Sequence, residues 1–380
     1  MQLPDAVMKL DAITLREIRM PLVRAFETSF GRTAERRILL VTVEQDGLQG
    51  WGECTAGEDP YYCSESADTA WYVLTRYLGP ALLDGELRSP GECEARFRRV
   101  RGHLMAKGAL ENALWDAEAQ RRELPLWQLL GGCRRQIPCG VSIGIQRSIE
   151  ELLDTVAQEL AAGYRRIKIK VKPGWDLEPL ARIRTRWPKI RLSCDANSAY
   201  TLSDCAHLQR FDEFQLLMLE QPLWDDDLYF HAQLQAQLQT AICLDECIHH
   251  ARDVEIAAKL GAGRIVNLKL GRVGGFSGAL AVHEASRRYG LANWCGGMLE
   301  SGIGRAHNIA LSTLENFTLP GDVSASQRYW KEDIIEPAVT VTSDGFIEVP
   351  DRPGRGFELR TGLIEKLTVR KETLRNRVVG

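Results

Sequence analysis

Apolar residues follow two regimes along the chain, and the change between them falls near residue 136. Before it, Ile13 to Ile18 and Ile38 to Val43 are short apolar runs of strand type, the second leading into Gly47, Gly50 and Gly52. Two stretches follow, Glu65 to Leu78 and Ala106 to Gln120, in which apolar residues recur every three or four positions, as on one face of a helix. Strands followed by helices predict an α+β domain over residues 1–135, closed off by Gly131, Gly132 and Pro138.

From Ile137 the rhythm becomes strand, loop, helix, strand. Val141 to Ile145 reads as a first strand, and Glu150 to Ala162 as a helix stopped by Gly163. Further strands are expected at Ile167–Val171, Ile190–Cys194, Leu216–Leu219, Ile242–Leu244 and Ile265–Leu268, with helical patterns between them. Such alternation implies a parallel sheet with right-handed crossovers. A chain of 380 residues suits a barrel of about 250 residues with a second domain of roughly 100. The expected fold is therefore α/β, a barrel over residues 136–340 beside the α+β domain. Residues 341–380, including Gly345 to Val349, lack the rhythm and are expected to return to the first domain.

Composition removes several function classes. With 44% hydrophobic and 26% charged residues and no run of about 18 apolar positions, the chain reads as soluble, with no membrane partner. A net charge of −3 and a single short basic stretch at Arg96–Arg101 argue against nucleic acid. Pro4 and Asp5 interrupt the N-terminus where a signal peptide would be apolar, so a cytoplasmic protein is expected; Met8 is an alternative start. The ten cysteines read as reduced thiols, and a metal-thiolate role for Cys243 and Cys247 has little support without a CxxC pair.

The chemistry is concentrated at the strand ends. Lys170, Asp195, Glu220, Asp245 and Lys269 are separated by 25, 25, 25 and 24 residues, one strand–helix unit each. In a barrel that period puts all five on the C-terminal rim, where barrel active sites lie. Strand alternation turns Lys168 and Lys170 to one face of Ile167–Val171, and pairs Asn197 with Asp195 and Asn267 with Lys269. Each piece has a plainer reading: Lys-x-Lys a solvated edge, Asp195-Ala196-Asn197 a turn, Asp245-Glu246 a helix cap. The shared period favours one site. Three carboxylates together need a cation, and an all-oxygen donor set matches Mg²⁺. A substrate carboxylate on that ion would have an acidified α-proton, and a lysine beside the cation and a second lysine is expected to have its pKa lowered toward that of a general base.

These residues resemble the enolase superfamily, in its muconate-lactonizing subgroup, through Trp51-Gly52-Glu53, Lys168-Ile169-Lys170, Asp195-Ala196-Asn197, Glu220-Gln221-Pro222, Asp245-Glu246 and Lys269. The resemblance implies a modified (β/α)7β TIM barrel closed by an α+β capping domain, Mg²⁺ (or Mn²⁺) on Asp195, Glu220 and Asp245, and proton transfer by Lys170 and Lys269. Within the subgroup, Asn267 to Gly275, Gly297 to Arg305 and Gly321 to Ser326 resemble the o-succinylbenzoate synthase/N-succinylamino acid racemase family. That implies dehydration of a cyclohexadiene carboxylate to a menaquinone precursor, racemisation of N-succinylamino acids, or both, by a homo-oligomer (dimer or octamer) acting on a small-molecule carboxylate. Arg272 resembles a position occupied in racemase-competent relatives; a salt-bridged loop arginine is its other reading. The family pattern further places Lys168, Ser142, Asn197, Arg272 and Gly297, Met298, Leu299 and Glu300 against substrate. It makes residues 24–32 a mobile loop that brings Phe26 and Ser29 over it, with Phe26 and Phe30 excluding water. Leu270 and Arg355 depart from the family's usual proline and leucine, and Ser324-Ala325-Ser326 lacks the Asp-x-Asp of dipeptide epimerases. A barrel that kept the fold without the chemistry would have lost one of the lysines or carboxylates; all are present.

Overall fold

The computed structural model describes residues 7–376; residues 1–6, which enter the reading of the N-terminus, and residues 377–380 lie outside it. Ala12–Glu27, Arg32–Gln45 and Leu48–Cys54 form an antiparallel sheet, to which Thr368–Arg375 adds beside Ala12–Ile18. Ile38 to Val43 is apolar at five of six positions because the strand is buried on both faces. Ile38 and Leu40 join the core shared with the barrel, while Leu39, Val41 and Val43 pack into the capping domain's own core. The first strand runs well past Ile18. Beyond Pro21 its residues carry no apolar alternation, and hydrogen bonding to the partner strand, with a register shift between Pro21 and Phe26, holds them extended.

The helical stretch expected over Glu65 to Leu78 begins at Ala67 and runs on to Leu83. It is α-helical over Ala67–Val73 and widens into a π turn over Leu74–Leu78. Ser66, not Glu65, caps it, through reciprocal bonds with Thr69. Glu65 instead accepts from Met105 N and Ala106 N, at 2.8 and 3.0 Å, at the start of the long helix Leu104–Arg121. That helix lies directly on the strand Leu48–Cys54. A Cβ at Gly50 would come within 2.0 Å of Ala113 O, and one at Gly52 within 1.9 Å of Ala109 O. The glycines and the alanines Ala109, Ala113 and Ala117 are thus one packing feature.

Among the described residues, seven parallel strands in sequence order curl into the barrel: Val141–Ile143, Ile167–Lys170, Leu192–Asp195, Leu219–Glu220, Ile242–Leu244, Ile265–Leu268 and Ala292–Cys295. Closure is made by residues 317–322 rather than by a regular eighth strand. Asp322 N donates to Cys295 O at 2.8 Å on one side, and Gly140 N to Gly321 O at 2.7 Å on the other. Pro320 has no N–H to give, which limits the ladder there. Inside the barrel, Met218, Cys243, Ile265 and Trp294 form a small plug, with Trp294 Nε1 donating to Cys243 Sγ at 3.2 Å. The cysteines are free thiols, and among the described residues no group of His, Cys, Asp and Glu closes around a point as a metal site; Cys247 contacts Gln221 instead. No helix is long and apolar enough to cross a membrane.

The last segment divides its allegiance. Phe346–Glu348 pairs with Gln136–Pro138 at the entry to the barrel, and Glu358–Leu359 with Ile335–Glu336; the strand Thr368–Arg375 reaches the capping sheet. Arg355 donates from its backbone N and its guanidinium to the buried carboxylate of Asp116, at 2.8 and 2.5 Å, which gives a use to the arginine that departs from the family pattern. The contact of Gly52 with the helix backbone leads to an expected outcome. Gly52→Ala should lower unfolding free energy by about 3 kcal/mol, since a methyl forced against a carbonyl must push strand and helix apart. Urea denaturation followed by far-UV circular dichroism measures it.

Candidate active site

The five strand-end residues meet on one rim, because adjacent parallel strands in register carry them. Lys170 stands opposite Asp195, and Asp195 opposite Glu220, as paired positions of neighbouring strands. Lys170 Nζ donates to Asp195 Oδ2 and to Asn197 Oδ1, both at 2.6 Å. Lys269 Nζ donates to Asp245 Oδ2 at 2.7 Å. One lysine therefore closes each end of the row Asp195, Glu220, Asp245. Lys168, two residues back on its strand, lies deeper, 2.7 Å from Glu220, 2.9 Å from Asp322 and 3.3 Å from Asp195, with Nζ 4.5 Å from the Trp294 ring. A solvated-edge reading of Lys-x-Lys does not survive this burial.

The amides of the site fix the carboxylates. Asn267 Nδ2 donates to Glu220 Oε1 at 2.6 Å, and Asn197 Nδ2 to Glu246 Oε1 at 2.8 Å. Asn197, Ser198 and Gln221 take left-handed backbone, which turns the chain sharply off the rim at two successive strands. Gln221 Oε1 in turn accepts from Asp245 N at 2.9 Å.

Electrostatics follow from burial and pairing. Burial is the largest influence on each group, and it is overcome where an opposite charge is close. Asp195 and Asp245 are held below the ordinary carboxylate value by Lys170 and Lys168 and by Lys269 and Arg272 respectively. Glu220 is pushed up to about 7 by burial and by Asp195. Against burial, Asp322, Glu220 and Asp195 hold Lys168 above its ordinary value, and Asp245 with Tyr62 does the same for Lys269. Carboxylates that face an ammonium directly stabilise its charge, which outweighs the repulsion from neighbouring cations. The chemistry of the row suits a hard divalent ion, while its carboxylates here face Lys168, Lys170, Lys269 and Arg272 rather than a common point. It offers carboxylate oxygens from three adjacent strands and neither imidazole nor thiolate at the row.

Arg272 is buried and held on several sides, by Ile248 O at 2.7 Å, by Asn267 O and by Asp245 Oδ1. Ser142 is buried beside Lys168 on the neighbouring strand, and its carbonyl accepts from Arg328. The hairpin turn lies over the barrel mouth: Ile145 N donates to Glu27 O at 3.0 Å, and Ser29 Oγ to Asn197 O at 3.2 Å. Phe26 is partly buried there, and Phe30, nearer the tip of the turn, is 41% exposed. Gly297 approaches Asp322, and Leu299 has left-handed backbone. Met298 packs on the capping core. The Glu300 carboxylate accepts from Asn308 Nδ2 at 2.9 Å and lines a small pocket with Lys269 and Met298. A cavity of about 1310 Å³ lies between the turn at residues 23–32, the helix Ile149–Ala161 and residues 325–341, and includes none of the charged row.

Three residues of the rim had no assigned role from sequence. Tyr62, from the capping domain, donates to Asp245 Oδ1 at 3.1 Å and accepts from Lys269 at 3.0 Å, its ring 4.5 Å from that lysine. It lies in Pro60-Tyr61-Tyr62-Cys63, a loop without periodicity. Asp322 bridges Lys168 to Arg166, 2.8 Å away, whose guanidinium stacks on Trp294. Glu246, pushed up to about 8 by burial and by Asp245, flanks the row.

A two-domain fold with a row of three carboxylates flanked by a lysine at each end of one rim defines a class, and comparison agrees. Residues 11–131 match the N-terminal domain model of mandelate racemase and muconate lactonizing enzymes, and residues 151–363 match the enolase C-terminal domain-like model. The chain belongs to the enolase superfamily, whose members depend on Mg²⁺. It is 48% identical over 360 residues to an o-succinylbenzoate synthase of Geobacillus kaustophilus, covering 94% of this chain and 96% of the relative. An N-succinylamino acid racemase of an Amycolatopsis species is 47% identical over 365 residues, covering 96% and 99%. The crystal structure of an enolase superfamily member from Listeria innocua superposes with a TM-score of 0.93 at 38% identity, covering 97% of this chain and all of that one.

The Asp322 bridge makes a stability prediction with a pH signature. Asp322→Ala should cost about 3 kcal/mol, because it leaves two buried cations without their shared partner. Arg166 and Lys168 depress the Asp322 carboxyl below its ordinary 3.8 despite burial, so its contribution is present above about pH 4 and is lost as pH falls further. Urea midpoints of wild type and variant should therefore differ at neutral pH and converge in acid.

Proposed function

We propose that this protein is an o-succinylbenzoate synthase, a carbon–oxygen lyase that dehydrates 2-succinyl-6-hydroxy-2,4-cyclohexadiene-1-carboxylate to o-succinylbenzoate in menaquinone biosynthesis. The observation that carries the reading is the pair of lysines at opposite ends of one carboxylate row, Lys170 Nζ 2.6 Å from Asp195 and Lys269 Nζ 2.7 Å from Asp245. Relatives at 48% and 47% identity with the two family names support it.

In this reading Asp195, Glu220 and Asp245 hold Mg²⁺, with Mn²⁺ able to substitute, and the ion supplies positive charge beside the substrate carboxylate. Lys170 takes the α-proton, and the Lys269 ammonium stands beside the negative charge that develops. Lys170 then returns its proton to the departing hydroxyl, which leaves as water while the ring becomes aromatic. Asn197 orients Lys170, and Tyr62 orients Lys269. Ser142 and Gly297 to Leu299 line the remainder of the mouth, with Phe26 and Ser29 covering it. Asp245 and two backbone carbonyls hold Arg272 rigid, which suits fixing the loop after Lys269. A cytoplasmic homo-oligomer belongs to the same reading.

Racemisation of N-succinylamino acids is the second activity the same residues suit. Two lysines at opposite ends of the row can each remove and return a proton at one carbon. The residues Ser324-Ala325-Ser326 offer no carboxylate for a peptide amine, which disfavours dipeptide epimerisation.

NMR in D₂O with Mg²⁺ tests the reading, offering the cyclohexadiene precursor and N-succinyl-phenylglycine to wild type and to Lys170→Ala. The expected result is loss of water from the precursor faster than exchange at the amino acid, with both falling at least roughly a thousandfold in the variant. Exchange with racemisation and no dehydration would make the protein a racemase instead.

A further inference from the structure

Helix N-termini carry unpaired N–H groups that need an acceptor, and most barrel helices find one in their own sequence. Ser148 with Glu150 and Glu151 serves Ile149–Ala161, and Asp176 serves Leu177–Arg186. Asp227 accepts from Phe230 N and His231 N, and Asp253 from His249 N and His250 N. The helices after the sixth and seventh strands, Phe276–Tyr289 and Gly302–Leu311, have no acidic residue in the first turn.

Both take a carboxylate from the other domain, the second alongside Asp333, which accepts from Gly302 N at 2.7 Å, and the Ser301 hydroxyl, which accepts from Ile303 N. Glu53, in the third capping strand, accepts from Ser301 N at 3.0 Å, Ser301 Oγ at 2.5 Å and Gly304 N at 2.9 Å. In a capping box an acid at the third helical position would accept from Ser301 N and the Ser301 hydroxyl would accept from Gly304 N; Gly304 occupies the third position, and Glu53 takes both N–H groups. A Cβ at Gly304 would come within 3.0 Å of Glu53 Oε2. Glu111, in the long capping helix, accepts from Phe276 N at 2.6 Å, Ser277 N at 3.0 Å, the Ser277 hydroxyl and Trp115 Nε1. The N-cap there is Gly275, with φ of 108°, and a Cβ on it would lie 2.3 Å from Glu111 Oε2. Burial pushes both carboxyls up to about 7 against the pull of these donors.

The two capped helices begin where the rim loops end. Lys269 to Gly275 leads into the first, and Gly297 to Ser301 into the second. We propose that Glu53 and Glu111 are positioning residues for the reaction, capping the two helices in trans so that docking of the capping domain sets the loop at Gly297–Glu300 and the loop that follows Lys269. Glu53 governs substrate binding, because its loop lines the mouth, and Glu111 governs turnover, because its loop follows a proton-transferring lysine. The assignment rests on the function proposed above for its assay.

The test is steady-state kinetics on the full chain, with Glu53→Ala, Glu53→Gln, Glu111→Ala and Glu111→Gln measured well below their melting temperatures. Glu53→Ala is expected to raise KM about tenfold with a smaller change in kcat, and Glu111→Ala to lower kcat about tenfold with KM nearly unchanged, as small misplacement of reacting groups does. The glutamine variants, which keep one acceptor oxygen, should recover part of each loss. Should an alanine variant fail to fold, its glutamine counterpart carries the same split. Lowered melting temperature with kcat and KM within twofold of wild type would overturn the positioning role and leave only helix stability, and so would identical changes in both variants. If wild type dehydrates nothing but exchanges protons on N-succinyl-phenylglycine, the function proposed above fails; the same constants measured on that substrate still decide this assignment.

Discussion

The molecule is organised around the neutralisation of charge at one end of the barrel. Asp195, Glu220, Asp245, Glu246 and Asp322 are buried together, and isolated burial of even one carboxylate would be unfavourable by several kcal/mol. Lys168, Lys170, Lys269, Arg166 and Arg272 offset them, each in contact with at least one carboxylate. The arrangement is more than a set of pairs. Lys168 touches three carboxylates, and Asp245 meets Lys269, Arg272 and Tyr62, so loss of any one member changes the charge balance of several others. Such a network is held in place by its own cost of failure.

That constraint dictates the barrel interior. Long lysine side chains directed inward require space, which Ala241 and Cys243 leave, and a floor, which Trp294 supplies under Arg166 and Lys168. It also explains why the capping domain is part of the site. Tyr62 completes the contacts of Asp245 and Lys269, the hairpin lies over Asn197, and Glu53 and Glu111 reach the helices behind the rim. The close approach that this docking needs is made by glycines. Gly108 lies against Gly274 and Gly275, where any side chain would collide with backbone.

The rim was legible because parallel strand–helix units repeat at a nearly constant length. A residue at the C-terminal end of each strand recurs every 24 or 25 positions, so Lys170, Asp195, Glu220, Asp245 and Lys269 could be aligned from spacing alone. The alternation Ile167-Lys168-Ile169-Lys170 likewise placed both lysines inside, since a strand side chain has two faces to choose from. Barrel strands were legible for the same reason, as branched apolar residues must face the helices.

Contacts between distant segments left no such trace. The sequence by itself determined the parallel barrel, its rim and the chemistry that an oxygen-rich row with two lysines can perform, because local period converts directly into direction. It did not determine that Glu300 accepts from Asn308, that Tyr62 reaches Lys269, or that Glu53 reaches Ser301. Those depend on how the capping domain docks on the barrel and on which charges that docking brings within a few ångströms. Separations such as the 248 residues between Glu53 and Ser301 carry no periodic signal, so only the tertiary structure could decide them.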